Sequence, residues 1–183
     1  VRPGRVVVVD EAFMDFVPGQ RESLIAGQLA GLLVVRSLTK LWGIPGLRAG
    51  YLVGDPELIA RLARDRAPWA VSTPALDAMV ACCSRQALAA VPQLLAEVAR
   101  ERAVLVAELA AAGFEVVPAA AAPFVLVSVA GLGARVPEAL AEAGFAVRSC
   151  ASFPGLGSEW LRLAVRDADT TRRFVRALVG LRR

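Results

Sequence analysis

The sequence predicts an α/β fold with a parallel sheet, followed by a smaller α+β unit. Three observations predict it. Short β-branched runs, Arg5 to Val9, Leu32 to Arg36 and Tyr51 to Val53, alternate with helix-forming segments, which is the grammar of a parallel sheet with helices on it. A long amphipathic segment then ends at Gly113. Beyond it the rhythm changes to short strands with two helices among them, so the domain boundary is expected near residue 113, dividing 1–112 from 113–183.

Each element has a local reason. Arg5 to Val9 is a short apolar run that stops abruptly at Asp10-Glu11, as a buried strand does. Glu22 to Gly31 reads as a helix, and Leu32 to Arg36 as a second buried strand. A polar, glycine-rich segment from Ser37 to Gly50 leads into the third strand. Asp55-Pro56 offers an N-cap followed by proline at the first helical position, so a helix is expected from there to about Arg66. From Thr73 the pattern is helical, with a break expected near Pro92. Gln93 to Ala112 carries apolar residues at three- and four-residue spacing, with Glu97, Arg100, Glu101 and Glu108 between them. That is one amphipathic helix, with Gly113 placed to close it. Phe114 to Val117, Phe124 to Val129, Phe145 to Cys150 and Trp160 to Val165 read as strands. Pro137 to Ala143 and Thr170 to Leu181 read as helices.

Composition limits the chemistry. Of 21 basic side chains in 183 residues only Lys40 is a lysine, and histidine is absent. Without histidine there is no Ser-His-Asp or Cys-His pair, no His-ligated metal and no imidazole switch. Arginine stays protonated and cannot act as an amine nucleophile, so any amine chemistry falls to Lys40. The 56% hydrophobic content supplies a sizeable core, which argues against disorder. The formal charge of +4 comes from arginines spread along the chain, and there is one tyrosine. With no basic stripe, no nucleic-acid partner is expected. The uncharged stretch Val116 to Ala134 is interrupted by Pro118, Pro123, Gly131 and Gly133 and cannot be one spanning helix. No membrane partner is expected, and the location is expected to be cytoplasmic. Cys82, Cys83 and Cys150 read as small buried hydrophobes rather than a disulfide framework or a metal site.

Four residues carry chemical promise together. Asp10 stands at the carboxyl end of a strand, the edge where open α/β sheets bind ligands. Glu11 beside it reads as an ordinary polar residue. Lys40 follows the second strand in Arg36-Ser37-Leu38-Thr39-Lys40. A bond to an aldehyde needs a primary amine that can lose its proton, which arginine cannot supply. Ser37 lies three residues before Lys40, and Arg48 eight after it, within Gly43-Ile44-Pro45-Gly46-Leu47-Arg48-Ala49-Gly50-Tyr51. A hydroxyl, a guanidinium and a glycine-rich turn suit a phosphate monoester.

On Val8-Val9-Asp10-Glu11-Ala12-Phe13, Arg36-Ser37-Leu38-Thr39-Lys40 and Ile44-Pro45-Gly46-Leu47-Arg48-Ala49-Gly50-Tyr51, the chain resembles the class I/II aminotransferases, pyridoxal-phosphate enzymes of fold type I. Within them it looks most like the histidinol-phosphate aminotransferase and threonine-phosphate decarboxylase branch, with the Ser-Leu-Thr-Lys and Ile-Pro-Gly-Leu-Arg runs favouring the decarboxylase-like members of cobalamin biosynthesis. The resemblance covers essentially all 183 residues but only the later part of such an enzyme. It implies that residues 1–112 are the later part of a large, mostly parallel cofactor-binding domain with its connecting helix, and that 113–183 are the small domain.

The resemblance also implies roles. Lys40 would hold pyridoxal 5'-phosphate covalently and then serve as base and acid at the substrate's α-carbon. Asp10 would pair with the ring nitrogen, Ser37 and Arg48 would bind the phosphate, and Arg162 would grip the substrate α-carboxylate. Ala67 to Ser72 would serve packing and domain contact. The substrate would be an amino acid or a phosphorylated amine, the reaction transamination or decarboxylation, and the assembly a homodimer. Two departures stand out. Phe13 occupies a position where many relatives carry a tyrosine that bonds the ring oxygen. The family's N-terminal half, with its phosphate loop, stacking aromatic and ring-oxygen asparagine, has no counterpart here, and the chain contains no asparagine. The competing expectation is therefore a truncated, non-catalytic remnant acting in oligomerisation. A dinucleotide binder is disfavoured, since no G-x-G-x-x-G follows the first strand.

Overall fold

The computed structural model describes residues 4–117 and 121–182. Pro118, one of the breaks expected in the long uncharged stretch, lies outside them. The chain divides into two compact units, Val1–Pro92 and Gln93–Arg183.

The first unit is built on a three-stranded sheet, β1 (Val7–Asp10), β2 (Leu32–Ser37) and β3 (Gly50–Gly54), in that order. β1 and β2 are parallel, as expected, but β3 runs antiparallel to β2. The reason is the connection. Between β2 and β3 stand only α1 (Leu38–Leu41) and a 3-10 turn at Pro45–Leu47. A four-residue helix rises about 6 Å, whereas six residues of strand extend about 20 Å, so α1 cannot carry the chain back to the start of the sheet. Gly54 ends β3 against its neighbour: a Cβ there would lie 2.4 Å from the Leu32 carbonyl oxygen.

The helix expected over 22–31 does not form. The chain instead makes 3-10 turns at Met14–Phe16, Pro18–Gln20 and Leu24–Ala26. The amide of Leu24, which an α-helix there would direct to water or a local cap, donates to Glu11 Oε1 at 2.8 Å. Gly31, at φ 69°, turns the backbone into β2. α2 (Pro56–Arg64) starts as expected on Asp55, whose Oδ1 accepts from the amides of Glu57 and Leu58 while Oδ2 accepts from Gly31 at 2.8 Å.

α3 (Thr73–Cys82) is capped by Ser72, and α4 (Arg85–Ala111) includes Pro92 without ending there. The break falls at Cys83-Ser84 instead, where the two helices bend by 71°. Pro92 and Leu88 are both exposed, so the Leu88 carbonyl that the proline leaves without its helical donor lies on the solvent side, where water can replace that bond. The two units part at Pro92/Gln93, within α4, rather than near residue 113: the later half of α4 buries Leu105 and Leu109 in the second unit's core. Cys82 and Cys150 are buried as expected, whereas Cys83 is exposed.

The second unit is α+β. Its sheet runs β4 (Phe124–Ser128), β6 (Trp160–Ala164), β5 (Arg148–Ser149), all antiparallel. Phe114 to Val117, expected as a strand, contributes a single bridge, Val116 to Val127. α5 (Val136–Glu142) and α6 (Ala168–Gly180) complete it. Leu109, Val127, Leu140, Leu161 and Leu178 are wholly buried in one cluster with Phe114 and Phe174. Gly113, at φ 76°, closes α4 and lets the Phe114 amide reach back to the Leu109 carbonyl at 3.0 Å, as a helix-ending glycine does. Among the described residues no single helix is long and apolar enough to cross a membrane.

Candidate functional site

Strand direction gathers the site. β1 and β2 are parallel, so Asp10 and Ser37, their last residues, come to the same edge of the sheet. β3 returns antiparallel and pairs Gly50 with Ser37, which puts the turn bearing Arg48 at that edge too. Lys40 sits on α1, immediately beyond β2. The register, Asp10 opposite Val35, also sorts the faces. Side chains alternate along a strand, so Asp10 and Ser37 lie on one face, while Glu11 and Arg36 lie on the other.

The exposed face carries the polar groups. Asp10 is exposed and its Oδ1 accepts from the Ala12 amide at 2.9 Å, an aspartate turn that fixes the chain leaving the strand. The hydroxyls of Ser37 and buried Thr39 share a hydrogen bond of 2.8 Å. Thr39 was not singled out in the sequence, yet it fixes the Ser37 side chain. Lys40 is exposed, with its Nζ 5.6 Å from the centroid of the Phe13 ring. That distance permits cation–π attraction. Arg48 is a non-glycine residue in the left-handed region, φ 54° and ψ 40°, and its Nη1 donates to the Pro45 carbonyl at 2.8 Å. Holding that backbone costs about 1–3 kcal/mol, a strain that tends to persist where function needs it.

The opposite face holds a buried polar cluster. Glu11, expected to be an ordinary polar residue, is only 4% exposed, and Arg36 only 6%. Arg36 Nη1 lies 3.5 Å from Glu11 Oε2, and Nη2 lies 3.4 Å from Asp15 Oδ1 and bonds Gln20 Oε1. Glu11 also accepts from the Ser23 hydroxyl and the Leu24 amide, each at 2.8 Å. Gln20 donates to Asp15 Oδ1 at 3.2 Å. Burial pushes the Asp15 carboxyl above its usual value, against the pull of Arg36. In the sequence Glu11 reads as an ordinary polar residue and Arg36 carries no assigned role, because Asp10 and Ser37 beside them have the more evident chemistry. The signal available was an acidic and a basic residue each inside or just beyond an apolar strand.

Arg162 belongs to the second unit. It stands on β6, half-buried, with its guanidinium 4.9 Å from the centroid of the Phe124 ring. Its register partner on β5 is Arg148, which the sequence reading did not select and whose guanidinium lies 5.8 Å from the Phe153 ring.

The sequence profile of the family "Aminotransferase class I and II" matches residues 2–178. The chain belongs to this family. Class I and II aminotransferases depend on pyridoxal phosphate. The chain is 46% identical over 166 residues to a histidinol-phosphate aminotransferase of Mycobacterium tuberculosis, covering 90% of this chain and 45% of that one. It is 33% identical over 174 residues to the threonine-phosphate decarboxylase of Salmonella typhimurium, covering 94% and 47%. Among solved structures, the histidinol-phosphate aminotransferase from Clostridium acetobutylicum superposes with a TM-score of 0.84 at 27% identity, covering 97% of this chain and 54% of that one. The chain thus spans about half the length of the relatives it matches. The fold is that of the fold type I aminotransferases. The donor set at the sheet edge of this aminotransferase-family chain suits the cofactor: an amine for its aldehyde, a carboxylate for its ring nitrogen, a hydroxyl and a guanidinium for its phosphate.

Proposed function

We propose that this chain carries the lysine side of a pyridoxal-phosphate site and acts, within an aminotransferase-family enzyme, on an amino acid or a phosphorylated amino acid or amine. The observation that carries the reading is that the only lysine in the sequence stands at the same sheet edge as Asp10, Ser37 and Arg48.

Bound there, the cofactor would supply an electron sink for a bond broken at the substrate α-carbon. This chain's residues do the rest. Lys40 would hold the cofactor through its amine, and the same amine would hold or deliver a proton at the substrate α-carbon. Asp10 keeps a proton on the ring nitrogen. Ser37, oriented by Thr39, and Arg48 bind the phosphate with hydroxyl and guanidinium donors. Phe13 lies beside Lys40, its ring centroid 5.6 Å from the amine, and offers no hydroxyl.

Arg162 binds the substrate carboxylate. Arg148 beside it supplies a second guanidinium, which favours a substrate with a second anionic group. Threonine phosphate, the substrate named for one of the two relatives, has that character, with a carboxylate and a phosphate. Transamination and decarboxylation both begin at the same α-carbon. The reading includes a homodimer and a cytoplasmic location, both carried over from the family.

A second reading, a non-catalytic oligomerisation module, draws support from apolar exposure: Trp69 is 98% exposed, Val80 75% and Val8 62%. One experiment separates the two. Pyridoxal phosphate added to the purified chain is expected to give a visible absorbance band that Lys40→Ala lacks. A folded wild-type chain with no band favours the module.

A further inference from the structure

We infer that Glu11 and Arg36 are positioning residues, a buried clamp that sets Asp10 and Phe13 against Lys40. The inference rests on the reading of that edge as a cofactor site and assigns a task to residues that touch neither cofactor nor substrate in it.

The clamp's geometry makes the case. Glu11 directly follows Asp10, and Arg36 directly precedes Ser37. The register that pairs Asp10 with Val35 brings Glu11 level with Arg36 on the face away from the site. The ion pair therefore ties the last residues of two parallel strands together from behind. It also reaches further. Arg36 holds Asp15 and Gln20 through Nη2, and Glu11 holds Ser23 and the Leu24 amide. The whole excursion from 11 to 24, which has no α-helix of its own, is pinned to these two side chains. Phe13 lies inside it, between Glu11 and Asp15, with its ring 5.6 Å from the Lys40 ammonium.

A cluster kept only for stability would be costly to choose. Arg36 Nε and Nη1 are buried without a hydrogen-bond partner, and a buried ion pair with unmet donors is a poor source of net stability compared with apolar packing. What such a pair provides is a fixed register between two strand ends, at the place where a site needs its first contacts held to a fraction of an ångström.

The test compares Glu11→Gln, Arg36→Lys and the milder Ser23→Ala with Val34→Ala. The last empties part of the β2 core, where Val34 is wholly buried, without removing a clamp group. Two measurements are made on each folded variant. One is the Kd for pyridoxal phosphate with the position of its visible band. The other is the rate at which the cofactor-free chain is acylated at Lys40, read by peptide mass mapping, which reports one side chain because there is no other lysine.

Clamp variants are expected to raise Kd about tenfold and move the band. They are expected to speed Lys40 acylation about threefold as Phe13 leaves the ammonium. Val34→Ala is expected to change neither, even with an equal loss of thermal stability. Clamp variants that lose stability but keep Kd, band and acylation within twofold of wild type would overturn the inference, as would Val34→Ala matching their changes. A wild-type chain that gives no band, with acylation still responding to the clamp, overturns the cofactor reading and leaves the clamp standing.

Discussion

Arg148 and Arg162 are register partners on β5 and β6, two guanidiniums on the same face of the sheet. Among the described residues neither forms an ion pair, and each lies over an aromatic ring instead, Phe153 and Phe124. Like charges directly opposite in a sheet repel by about 0.2–1 kcal/mol. Each ring returns about 0.5–1 kcal/mol by cation–π attraction. The pair is tolerated rather than stabilising, and its charge is available to an anion.

Arg148→Gln is accordingly expected to leave thermal stability almost unchanged while removing the stabilisation that inorganic phosphate gives the wild type. Thermal melts with and without phosphate measure both. In the assembled enzyme the same variant is expected to raise KM for a phosphorylated substrate and to spare kcat. A drop in kcat at unchanged KM would count against the assignment.

Removing one partner of the buried Glu11–Arg36 pair leaves the other charge uncompensated. Glu11→Leu and Arg36→Leu should each cost about 3–5 kcal/mol, and the double variant clearly less than their sum. Urea denaturation of the four proteins measures the cycle. Additive losses would mean that the 3.5 Å pair contributes no coupling.

Asp15 gives the first unit a pH dependence of unusual sign. Burial holds its carboxyl above the ordinary value of 3.8, with Arg36 opposing. The folded chain therefore keeps this proton to higher pH than the unfolded chain does. The associated stability is fully present below 3.8 and is lost as pH rises through the folded value. Asp15→Asn should flatten the stability profile just above that point. An unchanged profile in denaturation at graded pH would remove Asp15 from the explanation.

Asp167 works in the opposite direction. Its carboxylate accepts from the Thr170 amide at 2.9 Å and hydroxyl at 2.7 Å, capping α6, and these bonds hold it below 3.8. Its contribution is present above 3.8 and fades as pH falls through the lower folded value. Asp167→Ala is expected to lower the melting temperature by a few degrees at neutral pH and to make no difference in strong acid. Asp167→Asn, which can still accept a hydrogen bond, should recover most of the loss.

What the sequence disclosed and what it hid follow one physical line. β1, β2 and the cap of α2 depend on nearest neighbours, and their residues state them directly. The failed helix over 22–31 depends on Glu11, thirteen positions from the Leu24 amide it captures. No local pattern contains that information. Pro92 misled in the other direction, because a proline's cost depends on whether water reaches the carbonyl it orphans. At the site, the residues with exposed chemistry were legible one by one. Thr39, Arg148 and the Glu11–Arg36 pair were not: Thr39 matters through its bond to Ser37 two residues away, the others through neighbours that only strand register supplies.

The sheet of the first unit leaves both outer strands, β1 and β3, without a further partner among the described residues. Val8 on β1 and Leu52 on β3 are exposed along these borders. Unpaired amides and carbonyls beside apolar side chains are a template for any extended chain that meets them. Concentration therefore becomes a variable in handling this protein: strand addition between copies would compete with folding, and dilute, cool refolding would favour the monomeric sheet on which the lysine is displayed.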